Sequence, residues 1–164
     1  MSVQLQAIGS GLRCVDRRCG TLLGADAEVC DECGGTALAP IVDAQALLLG
    51  DAGDRPVAFE LRAGQPNVLG RSSPGGGALE IDVARMRGSE SVHRRHAQFD
   101  ERRGQWSVTH LGRNPIVVAR PEGTLVVQPG SSSALRSGDW LQIGRIRLQL
   151  IVDPARGISP AGGT

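Results

Sequence analysis

Beyond residue 44, apolar side chains recur at every second position in short runs separated by clusters of Gly, Pro, Ser and Asp. Val57, Phe59 and Leu61 alternate in this way, as do Trp106 and Val108, and Ile146, Leu148 and Leu150. A period of two sends successive side chains to opposite faces of a sheet, so each run predicts a strand with one face in a core. The apolar run at Gln45 to Leu49 predicts the first of these strands, and Ile81 with Val83 a shorter one. Glu101 to Gln105 and Ile143 to Arg145 predict hairpin turns, the second around Gly144. About ten short strands within roughly 110 residues, and no amphipathic helix among them, predict an all-β chain built as an antiparallel β-sandwich.

The first 38 residues lack this alternation and carry all four cysteines, as Cys14-x4-Cys19 and Cys30-x2-Cys33. Glycine follows each pair, allowing a tight turn that aims backbone amides at a sulfur. Two such knuckles predict one four-thiolate zinc site, with Cys14, Cys19, Cys30 and Cys33 as ligands. The segment resembles a zinc ribbon, although ribbons usually have two residues inside each pair and the first pair here has four. Two disulfides, free thiols or a redox C-x-x-C are the alternatives, and disulfides would require an oxidising compartment. Four cysteine ligands leave no open coordination position, so the zinc is expected to be structural, stabilising a segment too short for its own core. The expected organisation is a zinc-ribbon-like segment at 1–38, a linker at 39–44, the sandwich at 45–154 and a flexible C-terminal tail at 155–164. The sandwich is expected to stand on its own core when the metal is removed.

Composition adds a sign of charge. The chain has 164 residues, a formal charge of +1 and 18 basic residues, every one of them arginine. Residues 1–38 hold three arginines against five acids, a net −2, whereas residues 54–153 hold fourteen arginines against ten acids, a net +4. An anionic partner is therefore expected on the larger segment, where Arg71, Arg85, Arg87, Arg94 and Arg95 crowd together in sequence. Nucleic acid is not the expected partner: the cysteine segment is acidic, and two Phe, two Trp and no Tyr provide few stacking platforms. No apolar run approaches the roughly 18 residues of a membrane span, and the N-terminus has no basic and apolar leader, so a cytoplasmic protein with no membrane partner is expected.

Four segments carry candidate chemistry: V-L-G-R at Val68 to Arg71, V-H-R-R-H-A-Q-F at Val92 to Phe99, W-S-V-T-H-L-G-R-N-P-I-V-V at Trp106 to Val118, and L-R-S-G-D-W-L-Q-I-G at Leu135 to Gly144. In this order and spacing they resemble a forkhead-associated (FHA) domain, a β-sandwich whose loops bind phosphothreonine peptides. The resemblance runs from near Gln45 to Asp153. It implies that Gly70 and Arg71 are the pair whose arginine reaches phosphate or peptide backbone, that His96 holds its loop, and that Asn114 fixes the peptide backbone. It also exposes two departures, because His93 stands where the family has a phosphate-binding serine and Gly112 where it has a second hydroxyl. His93 itself is expected to contact the phosphate if it points into the site, Ser91 or Ser89 can replace the missing hydroxyl if it turns outward, and Arg94 and Arg113 are placed to raise the potential beside a phosphate. The glycine run in Ser72 to Ser91 matches no nucleotide-binding fingerprint and predicts a loop over the binding face.

His93, His96 and His110 with Asp100 match no nucleophile elbow or metalloprotease motif, so no enzymatic activity is expected. The expected function is a phosphothreonine-peptide-binding adaptor in Ser/Thr kinase signalling, its partner a threonine-phosphorylated protein. The alternatives are a degenerate FHA module that binds an unphosphorylated partner through the same loops, and a regulatory or nucleic-acid-associated protein acting through the ribbon.

Overall fold

In the computed structural model, residues 11–53 and 55–157 are described. The cysteine segment forms a three-stranded antiparallel sheet of β1 (Leu12–Cys14), β2 (Leu22–Leu23) and β3 (Leu38–Pro40), in the order β2-β1-β3. Eleven further strands follow: β4 (Ala46–Asp51), β5 (Pro56–Leu61), β6 (Asn67–Gly70), β7 (Ile81–Asp82), β8 (Ala97–Arg102), β9 (Gln105–His110), β10 (Ile116–Arg120), β11 (Gly123–Val127), β12 (Ser132–Leu135), β13 (Trp140–Ile143) and β14 (Ile146–Val152). They pair into a six-stranded sheet, β11-β10-β13-β14-β4-β5, and a five-stranded sheet, β12-β9-β8-β6-β7. All neighbours in the two sheets are antiparallel except β6 and β7.

The inner faces of the two sheets meet in one core. Phe59, Leu61 and Leu148 of the larger sheet pack with Leu69, Phe99 and Val108 of the smaller one. The alternation in sequence is thus the alternation of core and outer faces. The turn expected at Glu101 to Gln105 is the two-residue link Arg103–Gly104, both residues at positive φ (54° and 83°), as the tightest hairpins require.

Strand β4 breaks the alternation, being buried at five consecutive positions from Ala46 to Gly50. Leu48 enters the sandwich core, whereas Leu47 and Leu49 join Ile41, Ala44, Ala58 and Ile151 in a second cluster, with Leu22 of the ribbon packed against it. The run Ala46–Leu49 is apolar throughout because it is covered on both faces. The expected linker is part of that cover. The ribbon sheet continues to Pro40, and a 3-10 turn at Ile41–Asp43 buries Ile41. The expected tail at 155–164 lies mostly outside the described residues, which end in a single helical turn at Pro154–Gly157.

The ribbon also closes the edge of β5. The Ala58 amide donates to the Gly20 carbonyl at 2.7 Å, and Thr21 forms an isolated bridge with Val57. Gly20 has φ +61°, and an added Cβ would sit 2.7 Å from the Ala58 carbonyl, so both conformation and space demand glycine. Arg13, only 6% exposed, pairs with Glu60 at 3.1 Å, and Arg55 reaches Thr21 at 3.1 Å and Glu32 at 3.0 Å. An exposed strand edge is thereby paired and covered.

Candidate functional site

The loops between β6 and β7, β7 and β8, and β9 and β10 gather at one end of the sandwich. Their closest approach is at Gly70, where an added Cβ would run into the carbonyl of Arg94 and lie 3.1 Å from that of His93. Glycine lets the end of β6 press against this backbone, and the Arg71 amide then donates to the His93 carbonyl at 3.1 Å. The Arg71 side chain is exposed and held at its Nε, which donates to the Val92 carbonyl at 3.1 Å. Its two terminal nitrogens have no partner among the described residues. A guanidinium pinned at one nitrogen with its outer edge free is prepared for an oxyanion.

His96 is fully buried and builds the platform under this loop. The His93 amide donates to its Nδ1 at 3.0 Å, which places the proton on Nε2, and Nε2–H donates to the Asn114 carbonyl at 2.7 Å. Burial lowers the His96 pKa against the Asn114 carbonyl, which favours the charged form; His110 and His93 lower it further. The ring therefore works as a neutral brace joining the two loops. It stacks on His110 at 5.4 Å between centroids, and the His93 ring lies tilted to it at 5.2 Å. His110 Nδ1 donates to the Val127 carbonyl at 2.8 Å, and its buried Nε2 has no partner among the described residues.

Asn114 completes the brace. Its side-chain amide donates to the Ser91 carbonyl at 2.6 Å, while its Oδ1 accepts nothing from the described residues and is exposed. Ser91 does not offer a spare hydroxyl: its Oγ donates to the Gly88 carbonyl at 2.6 Å and accepts the Arg145 amide at 2.7 Å. Ser89 is likewise engaged, donating to the Ala84 carbonyl at 3.0 Å. His93 is half-buried beside Gly112, whose added Cβ would lie 3.0 Å from the His93 ring and 3.0 Å from the His96 ring. The imidazole and the missing side chain share one space.

The structure brings Arg71, His93, Arg94, Asn114, Gly70 and His96 together, with Arg113 on the adjoining loop. Arg71, Arg85, Arg87, Arg94, Arg95 and Arg113 are all exposed and form no ion pair among the described residues. By contrast, Arg120 is committed to structure: it grips the buried carboxylate of Asp139 through two bonds of 2.9 Å and fixes the turn before β13. Sequence reasoning missed three residues. Asp82, 4% exposed, accepts the amides of Ser72 at 3.2 Å and Ala84 at 3.0 Å and so anchors the segment after Arg71. Ser72 and Ser73 line a cavity of about 180 Å³ with Arg71, Arg94 and Arg95. Their only signal in sequence was their place directly after Arg71.

The four cysteines form a second site. Their Sγ atoms all lie within 4.8 Å of one another, with Cys14–Cys33 and Cys19–Cys30 at 3.6 Å and no disulfide. Zinc–thiolate bonds of about 2.3 Å in a tetrahedron separate sulfurs by about 3.8 Å, so the donor set fits one such ion. Without a cation, burial pushes the Cys14 thiol up to about 12 and raises that of Cys19. At Cys30 burial also raises the pKa, but the amides of Cys33 and Glu32, with the neighbouring thiols, outweigh it and bring it down to about 7.

No family model matches the sequence, and no curated protein matches it. Among solved structures, the chain is similar to the FHA domain of the CT664 protein from Chlamydia trachomatis, at 17% identity and a TM-score of 0.50, over 65% of this chain and 94% of that one. It is also similar to the FHA domain of an Arabidopsis thaliana hypothetical protein, at 20% identity and a TM-score of 0.50, over 73% of this chain and 92% of that one. The fold of residues beyond the ribbon is the FHA β-sandwich. Among the described residues, no helix is long and apolar enough to cross a membrane.

Proposed function

We propose, from an FHA sandwich that carries an unpaired arginine cluster on its loops, that the chain is a phosphothreonine-peptide-binding adaptor in Ser/Thr kinase signalling and not an enzyme. The observation that carries this reading is Arg71, held by the Val92 carbonyl with its terminal nitrogens free of partners among the described residues. A phosphothreonine brings a charge of about −1.5 to −2 and three acceptor oxygens, which suit a guanidinium that needs no rearrangement. Asn114 Oδ1, which accepts nothing from the described residues and lies beside the same loop, accepts a backbone amide of the peptide and sets its direction. Arg94, Arg95 and Arg113 raise the potential, and Ser72 supplies a hydroxyl that His93, Gly112 and Ser91 do not. The cysteine cluster holds one structural zinc ion, which contributes folding energy to the ribbon. Free cysteines suit the cytoplasm, where a kinase substrate would be met.

A degenerate module that binds an unphosphorylated partner is the second reading, favoured by one observation: the hydroxyls expected at 93 and 112 are absent and that of Ser91 is engaged. Titration calorimetry with a phosphothreonine peptide and its unphosphorylated twin separates the two. The phosphorylated peptide alone is expected to bind, and Arg71→Ala to weaken it by about tenfold or more, as loss of a charge-assisted hydrogen-bonded pair does. Equal binding of both peptides would replace the adaptor reading with the second.

A further inference from the structure

The first cysteine knuckle is longer than a metal turn needs. Its four inner residues are Val15, Asp16, Arg17 and Arg18, closed at the base by the Cys19 and Gly20 amides donating to the Asp16 carbonyl at 3.0 and 3.1 Å. The Asp16 carboxylate accepts the Arg18 amide at 2.8 Å, which fixes the tip. From there Arg18 reaches across to the sandwich, its Nε 3.4 Å from Asp82 Oδ2. Asp82 is the carboxylate that anchors Ser72, the residue after Arg71. The extra length of the knuckle thus goes into a contact with the loop of the candidate peptide site.

That contact leaves Arg17 exposed and without an ion pair among the described residues. Two cavities share the loop from Ser72 to Leu79 as a wall: one of about 180 Å³ with Arg71, Arg94 and Arg95 on its rim, the other of about 210 Å³ with Arg17 and Arg18. Against these five arginines stand Asp82, already bound to Arg18, and Asp16, whose carboxylate is held by the Arg18 amide; a third cavity that Arg17 also lines holds Glu60, paired with Arg13 and Arg62, and Glu80, which accepts the Val68 amide. The field is positive on both sides of the loop, and Arg17 is the charge on the ribbon side with no acid committed to it.

We infer that the first knuckle is a wall of the peptide site, and that Arg17 recognises an acidic side chain of the partner flanking its phosphothreonine. This rests on the phosphopeptide reading above. The occupant of the second cavity is an Asp or Glu of the same peptide, selected by charge, while Arg71 takes the phosphate. The metal turn then contributes specificity as well as folding energy, because its backbone holds Arg17 in place.

The test titrates the full chain with three phosphothreonine peptides, one with alanine flanks, one with glutamates before the phosphothreonine and one with glutamates after it. An unphosphorylated twin accompanies each. Wild type is expected to prefer one glutamate-flanked peptide over the alanine-flanked one by about fivefold, the range of a single partly exposed charge pair. Arg17→Gln should erase that preference and Arg17→Glu invert it, with the alanine-flanked peptide bound nearly as by wild type in Arg17→Gln. Equal binding of all three phosphopeptides by wild type, or a preference that survives Arg17→Glu, would overturn this inference and leave the phosphopeptide reading standing. Loss of the alanine-flanked peptide in Arg17→Gln would also overturn it, since Arg17 would then serve the phosphate or the fold. Failure of every phosphopeptide to bind wild type better than its twin would bring down both.

Discussion

An added Cβ on Gly112 would press on His93 and His96 at 3.0 Å from each ring, so the residue at 112 is tied to the residue at 93. Replacing Gly112 with serine should destabilise the chain by about 1 to 2 kcal/mol, the cost of forcing extra atoms into a filled space. His93→Ser empties half of that space and should recover part of the loss. Urea denaturation of the two single variants and the double variant measures the coupling; purely additive costs would show that the two positions do not share space. The sequence displayed both departures from the FHA pattern but not their link, since nothing in one dimension shows that two loops nineteen positions apart press ring against backbone. Arg71, His96 and Asn114 were legible because each sits inside a spaced motif. Asp82, Ser72 and the engaged hydroxyl of Ser91 were not, because their partners come from Arg18, from each other's loop, and from Arg145.

Among the elements, β5, β9 and β14 were readable from alternation alone, and the hairpin at Arg103–Gly104 from its flanking polar residues. β4 was found as a strand, but the reason for its unbroken apolar run was hidden, because the cover on its second face comes from residues 22, 41 and 44 of the preceding segment. The ribbon appeared in sequence as a separate piece with its own metal. In three dimensions it pairs with β5 through Gly20 and Thr21 and covers the second cluster, so the two parts share stability. Stripping the metal with a strong chelator should therefore lower the melting temperature of the sandwich as well, by about 2 to 4 °C, as loss of roughly 1 kcal/mol does in a chain of this size. The Ala58 amide, which depends on the Gly20 carbonyl, should exchange faster at the same time. A chelated chain that melts as before and keeps the Ala58 amide protected would show that the ribbon is only attached.

At the scale of the whole molecule, structure and charge divide along the same line. Arg13, Arg55 and Arg120 pair with acids and hold the ribbon to β5 or fix a turn, whereas Arg71, Arg94, Arg95 and Arg113 form no ion pair among the described residues and lie on the loops at the Arg71 end. The sequence showed the excess of positive charge but not which arginines were already spent, since their acids lie in other strands. The role proposed for this end is to bind phosphothreonine through Arg71 and Asn114. Amide chemical-shift mapping of the full chain, titrated with a phosphothreonine peptide and then with its unphosphorylated twin, tests that most directly. Shifts are expected at Gly70 to Ser72, Val92 to Arg94 and Gly112 to Asn114 with the phosphorylated peptide and none with its twin. The same shifts with both peptides, or shifts confined to other faces of the sandwich, would contradict it.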